Sequence, residues 1–211
     1  MSLNDPGPLS SECYAKLATP LPGVTVRLLP LAEQHVDSLH SAFREDDLWT
    51  WQGKQPETLA ETRLWVESAL SLAQSPASEV PFIFESHDGR LAGTTRYMDI
   101  RWNDSALEIG WTMVFAPFRR TSVNTEVKYL LLKRAFEEVG CGRVQLKTDA
   151  LNLRSRAAIL RIGAKFEGVH RCHKRRADGT LRDTAFFSIT YQEWPEVKLH
   201  LESLLHRGQQ V

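Results

Sequence analysis

Very little in this sequence draws it away from water. No apolar run approaches the ~20 residues that a membrane-spanning helix requires. The 26 basic side chains are matched by 26 acidic ones, so no overall field attracts nucleic acid or an anionic membrane, and charged partners must be selected locally. Cysteine is scarce. Cys13, Cys141 and Cys172 form an odd, sparse set that suits reduced structural thiols better than a disulfide framework. The motifs G-x-S-x-G, G-x-x-x-x-G-K-[S/T] and G-x-G-x-x-G are missing, which leaves hydrolase, nucleotide-triphosphatase and dinucleotide readings without support. The opening "MSLNDPGPLSSECYAKLATPLPG" lacks the basic start and apolar centre of a signal peptide, so a cytoplasmic location is expected. Residues 1–22 read as a loosely held, flexible lead-in, and 23–211 as a single domain, since 211 residues is short for two.

What the chain does contain is a clear change of hydrophobic period. "VTVRLLPL" alternates as a strand. "LAEQHVDSLHSAF" then places Leu31, His35, Val36, Leu39, Ala42 and Phe43 on one helical stripe. After the loop "REDDLWTWQGKQP", a second helix, "ETLAETRLWVESALSLAQ", is expected to carry Leu64, Trp65, Ser68, Ala69 and Leu72 on one side. The period next drops to 2. "PFIFES", "LAGTTRYMDI" and "ALEIGWTMVF" read as three consecutive antiparallel strands, the first two joined at Asp88-Gly89. "TEVKYLLLKRAFEE" is a helix starting at Thr125 or Glu126, and "RVQLKTDA" a strand. "NLRSRAAILRIGA" is a helix with Asn152 as N-cap and Gly163 as its stop. "FEGVHRCHKRR" and "LRDTAFFSI" form a hairpin around Asp178-Gly179, and "EWPEVKLHLESLL" closes as a helix with Pro195 in its first turn. This order implies an α+β fold with a mostly antiparallel sheet.

The junction "PFRRTSVNTEV" is the stretch with chemical potential. A strand ending near Pro117 delivers a short basic loop to a helix start, where several backbone N–H groups have no intrahelical partner. Such an end attracts anions, and Arg119 and Arg120 add counter-charge. The same residues also read as a solvated loop before a core helix.

The order of elements, together with "EIGWTMVFAPFRRTSVNTEVKYLLLKRAFE", "RVQLKTDALNLRSRAAILRIGAKFEGV" and "DGTLRDTAFFSI" followed by "EWP", resembles the GNAT superfamily of N-acetyltransferases, closest to its RimJ/RimL branch. The likeness runs from about Val24 to Ile189. It implies a GNAT-like, mostly antiparallel sheet of about seven strands, flanked by helices and followed by a C-terminal helix. It further implies acetyl-CoA as acyl donor and direct transfer of acetyl to a primary amine, at a protein N-terminus or on a small molecule. Neither membrane nor nucleic acid is an expected partner, and a homodimer is left open.

The family's pyrophosphate cradle reads Q/R-x-x-G-x-G/A. Arg119 fits its first position, while Ser122 and Asn124 stand where glycines would. The resemblance thus assigns cofactor binding to Met113, Val114, Phe115, Arg119, Arg120, Thr121, Ser122, Val123, Asn124 and Thr125. Asn152 and Ser155 fit the family's second cofactor element; they read equally as a cap and a first-turn serine. Asn tolerates the left-handed region better than most residues, so an altered cradle is compatible with binding.

Glu108, on the strand beside the expected thioester, is the candidate base, working through a water; it also reads as a glutamate on the solvent face of a half-buried strand. Many family members carry a tyrosine as general acid where Ile159 stands, so no acid is assigned. Trp49, Trp51, Asp46 and Asp47 would shape an acceptor cleft, or the tryptophans would close a core. "HRCHKRR" puts His170 and Cys172 on one strand face and His173 on the other, which leaves no zinc set. The rival reading is a catalytically idle member that binds acyl-CoA, a protein or the ribosome.

Overall fold

The computed structural model describes residues 6–44, 47–74, 79–176 and 178–208. Among these residues eight strands form one sheet: β1 (Leu21–Pro22), β2 (Val26–Pro30), β3 (Val80–Ser86), β4 (Leu91–Arg101), β5 (Ala106–Val114), β6 (Arg143–Asp149), β7 (Lys165–Arg175) and β8 (Leu181–Thr190). Among the described residues six α-helices accompany them: α1 (Ser11–Leu17), α2 (Val36–Phe43), α3 (Leu59–Gln74), α4 (Val123–Lys133), α5 (Leu153–Arg161) and α6 (Trp194–Gly208). The spatial order is β1-β2-β3-β4-β5-β6-β8-β7. Neighbours run antiparallel, except for β5 and β6, which are parallel. The α+β reading with a C-terminal helix therefore holds, with eight strands in place of about seven. The extra one is the two-residue β1, too short to carry a periodic signal. No helix among the described residues is long and apolar enough to cross a membrane.

Alternation on the strands builds a core on each face of the sheet. On β3, Phe82 and Phe84 enter the larger cluster with Tyr97, Leu107, Val127, Leu131, Val144 and Phe187, while Ile83 between them joins the other face with Leu39, Phe43, Val66, Met113 and Phe115. Each such buried side chain contributes roughly 1.5–3 kcal/mol. Asp88-Gly89 closes the β3–β4 hairpin with Gly89 at φ +80°, as the dipeptide implied.

Four local expectations are corrected. The lead-in is part of the fold from Pro6 on: Leu9, Leu17 and Leu21 lie in the larger core, and Leu9 N–H donates to Trp102 O at 2.8 Å. Helix α3 buries Thr62, Val66 and Ala69, leaving Leu64 62% and Leu72 40% exposed. Small residues at 62 and 69 let α2 approach closely enough for a 3.0 Å contact between His40 Nδ1 and Thr62 Oγ1, and that close approach decides the face over side-chain size. Helix α4 begins at Val123, two or three residues early. Finally, a register shift between His170 and Lys174, with Cys172 at φ +51°, turns both His170 and His173 onto Phe186. The two histidines share a face because a bulge resets the alternation.

Candidate active site

β5 and β6 pair only from Ala106↔Arg143 to Glu108↔Gln145. Beyond Glu108, β5 stays with β4 and β6 with β8, so the parallel strands part into a wedge. A bulge shapes its β5 wall. Thr94 faces Met113 and Arg96 faces Gly110, which leaves one extra residue on β5, and Trp111 takes φ +49°. Arg96 fixes Trp111 from behind. Its guanidinium lies 5.0 Å from the Trp111 ring centroid and 4.9 Å from that of Trp65, and pairs with Glu79 at 2.8 Å.

A cavity of about 640 Å³ opens in this wedge. Trp111, Thr112 and Val114 of β5 line one wall, and Lys147 and Asp149 of β6 the other. The loop before α4 gives Arg119, Arg120 and Thr121; α4 gives Asn124 and Lys128; α5 gives Arg154, Ser155, Ile159 and Arg161; and β8 adds Arg182. Among the described lining residues seven carry Arg or Lys side chains and one, Asp149, a carboxylate. Asp149 is itself paired with Arg176 at 2.8 Å. That excess suits a polyanionic ligand.

The entry to α4 shows how the loop is built without glycines at 122 and 124. Ser122 sits at φ −69°, ψ −13° and Asn124 lies inside the helix, so neither needs the left-handed region. Arg120 takes it instead, at φ +62°. Glu126 N–H donates to Ser122 O at 2.9 Å, and Val123 N–H is met by Thr121 Oγ1 at 3.3 Å. The N–H groups of Asn124 and Thr125 have no acceptor among the described residues, a helix start with donors to spare. Arg119 Nε donates to Val114 O at 2.9 Å, tying the loop to the end of β5. Glu126 anchors the helix from outside, accepting from Val24 N–H, Thr25 N–H and Thr25 Oγ1.

Of the residues assigned from sequence, Val114, Arg119, Arg120, Thr121, Asn124 and Ser155 meet around the cavity. The side chains of Met113 and Phe115 turn into the core on the far face, and Val123 is buried in the larger one. Ser122 borders a smaller pocket with Thr25 and Tyr129. Thr125 Oγ1 accepts from Arg161 at 2.9 Å. Asn152 Oδ1 caps α5, accepting from Ser155 N–H at 3.0 Å.

Glu108 is 1% exposed and is not among the residues that line the cavity. Its Oε2 accepts from Lys147 Nζ at 2.7 Å and Gln145 Nε2 at 2.9 Å. A Cβ on Gly110 would stand 2.5 Å from Met98 Sδ and 3.1 Å from Glu108 Oε1, so only glycine fits at this lining position beside the carboxylate.

The expected acceptor wall divides. Trp51 lines the cavity, while Trp49 packs edge-on to Phe43 at 4.9 Å in the core. Asp46 and the side chain of Asp47 lie outside the described residues. Sequence reasoning missed Lys128, Arg161 and Lys147. Lys128 was within reach, one turn beyond Asn124 on the same helix face.

Residues 25–165 match the family model described as "Acetyltransferase (GNAT) domain". The chain belongs to the GNAT acetyltransferase family. A GCN5-related N-acetyltransferase from Brucella melitensis is 29% identical and superposes with a TM-score of 0.83, covering 96% of this chain and 90% of that one. Mycobacterium smegmatis RimJ, solved in complex with CoA-disulfide, shares the GNAT fold at 18% identity and a TM-score of 0.78, covering 90% of this chain and 96% of its own. RimL, a ribosomal L7/L12 alpha-N-protein acetyltransferase solved with coenzyme A, does so at 19% and 0.70, covering 81% and 97%. The comparison with curated proteins gave no match.

Proposed function

We propose that this GNAT protein is an acetyl-CoA-dependent N-acetyltransferase that passes acetyl directly to a primary amine, either a protein N-terminal α-amine or a small molecule. The observation that carries this is the cation-lined wedge between β5 and β6, closed at one end by a helix start with free N–H donors. Arg119, Arg120 and the Asn124 and Thr125 N–H groups would hold phosphate oxygens, and Ser155 would meet the arm between them and the reacting end. Bound there, acetyl-CoA supplies an activated acyl carbon and a thiolate leaving group of pKa ~8.5.

The wedge brings the amine and the acyl carbon together along the free edge of β5, which replaces a bimolecular encounter by a fixed geometry. Glu108 acts as base through a water, taking the proton that the amine sheds on attack. A lysine side chain, pKa ~10.4, is neutral about once in ~2,500 molecules at pH 7, and an α-amine near ~7.8 about once in seven. An α-amine therefore demands less of this base. The idle-member reading was motivated by the missing glycines and by the missing tyrosine at Ile159; the right-handed backbone at Ser122 and the helical position of Asn124 speak against the first motive alone.

Calorimetric titration with acetyl-CoA tests the reading. The wild type should bind at micromolar concentration, and an Arg119→Ala, Arg120→Ala variant, checked for folding by circular dichroism, should bind about 100-fold more weakly. Glu108→Gln should keep the affinity and lose most of the CoA release seen with α-amine peptides. A folded wild type that binds no acetyl-CoA would overturn the proposal.

A further inference from the structure

One lining residue has no reason to be there as packing. Lys128 is 5% exposed, on the cavity side of α4, and among the described residues its ammonium pairs with no carboxylate. Its Nζ donates to Thr112 Oγ1 at 2.5 Å, and Thr112 Oγ1 lies 2.8 Å from Thr95 Oγ1. An amine buried with a single hydroxyl partner costs stability, and a methionine would fill the same volume without that cost. Its neighbour across the chain, Thr112, stands on the stretch of β5 that has left β6, where the thioester belongs.

The reaction needs a proton at that place. Acyl transfer forms the C–N bond and breaks the C–S bond, and the electron pair of the broken bond stays on sulfur. The described cavity lining contains no Tyr, His or Cys. The arginines cannot release a proton near neutral pH. Lys147 is held by the Glu108 carboxylate. Asp149 is held below the ordinary carboxylate range, its burial being outweighed by Arg176 and the Leu151 N–H, so it has no proton to give at pH 7. Ile159 is apolar.

We infer that Lys128 is the proton donor to the departing CoA sulfur. Its Nζ–H proton passes to the thiolate and leaves CoA as the thiol. The neutral amine then regains a proton from solvent through the cavity, while the proton shed by the acceptor leaves by way of Glu108, so the overall reaction balances. This rests on the acetyl-transfer reading above. Burial alone brings the Lys128 ammonium down to about 7, below a thiol near ~8.5, and the transfer is then favourable by roughly 30-fold. The charged groups on the surrounding elements are Arg119 and Arg120 on the loop, Lys147 and Asp149 on β6, Arg154 and Arg161 on α5, and Arg182 on β8. Glu126, on α4 itself, is engaged with Val24 and Thr25.

Two measurements on Lys128→Met and Lys128→Arg decide the matter. The first is kcat against pH with an α-amine acceptor. The wild type should lose rate as pH rises above about 7 and Lys128 deprotonates. Lys128→Met should fall about 100-fold and lose that alkaline limb. Lys128→Arg keeps the charge and cannot release the proton, so it should stay low as well; full activity in the arginine variant would reduce the role to charge alone and overturn the inference.

The second needs no turnover: calorimetric affinity for CoA against desulfo-CoA, which lacks the sulfur. The wild type should prefer CoA by about tenfold, and Lys128→Met should show no preference. Equal affinities in the wild type would overturn the inference even if turnover is robust. A wild type that releases no CoA with any amine would instead defeat the transfer reading, while the sulfur preference would still report whether Lys128 meets the thiol.

Discussion

Replacing Arg96 by methionine tests how the core supports the cavity wall. Arg96 is 5% exposed, salt-bridged to Glu79 at 2.8 Å, and placed between the rings of Trp65 and Trp111 at 4.9 and 5.0 Å. The substitution leaves the Glu79 carboxylate buried without its partner, which costs about 3–5 kcal/mol. It also removes two cation–π contacts of ~0.5–1 kcal/mol each. Methionine packing returns part of the second loss, so the net destabilisation should be near ~4 kcal/mol. For a chain of this size each kcal/mol moves Tm by about 2–4 °C, which puts the expected drop at roughly 8–16 °C by calorimetry. Adding Glu79→Gln removes the stranded charge and should recover at least half of that loss. Trp111 lines the cavity, so loss of its support should also raise KM for acetyl-CoA. A drop below ~1 kcal/mol, or no recovery in the double variant, would refute the assignment of Arg96 and Glu79 as a coupled buried pair.

Two further outcomes follow from backbone and burial. Arg120 holds a left-handed conformation at φ +62°, which costs an L-residue roughly 1–2 kcal/mol. Arg120→Gly should therefore stabilise the fold by about 0.5–1 kcal/mol in urea unfolding while weakening acetyl-CoA binding about tenfold. The Lys128 ammonium is lowered from 10.5 to about 7 in the folded protein. Between those values the unfolded chain holds a proton that the native chain lacks, so wild-type stability should rise as pH increases from about 7 toward 10. Lys128→Met should flatten that rise, which is at most roughly 5 kcal/mol, and be the more stable protein at pH 6.5; parallel urea midpoints at pH 6.5 and 9.5 read it directly.

The parts of this fold legible in the sequence were those with local causes. Asp88-Gly89 and Asp178-Gly179 marked hairpins because those turns need φ > 0, and Asn152 marked the start of α5 because its side chain bonds a backbone N–H three residues on. The drop of the hydrophobic period to 2 marked β3, β4 and β5 as strands. What escaped had non-local causes. Leu9, Leu17 and Leu21 have too few apolar neighbours in sequence to form a pattern, and they find their partners only in three dimensions. The buried stripe of α3 was set by how near α2 comes, which favours Thr62 and Ala69 over Leu64 and Leu72. The bulges at Trp111 and Cys172 each reset an alternation that sequence reading carried straight through.

The donor loop shows the same limit more sharply. Reading Ser122 and Asn124 as lost glycines assumes that the glycines were needed for a positive φ. In the fold both positions are right-handed, and what glycine would contribute there is only the absence of a side chain. Ser122 borders a different pocket, and Asn124 lines the cavity from within the helix, so neither substitution removes an N–H donor from the helix start. The strained position is Arg120, which brings a positive charge to the cavity. The loop therefore retains the backbone donors proposed above to hold phosphate and sets cations beside them, and the proposal does not need glycine at 122 or 124.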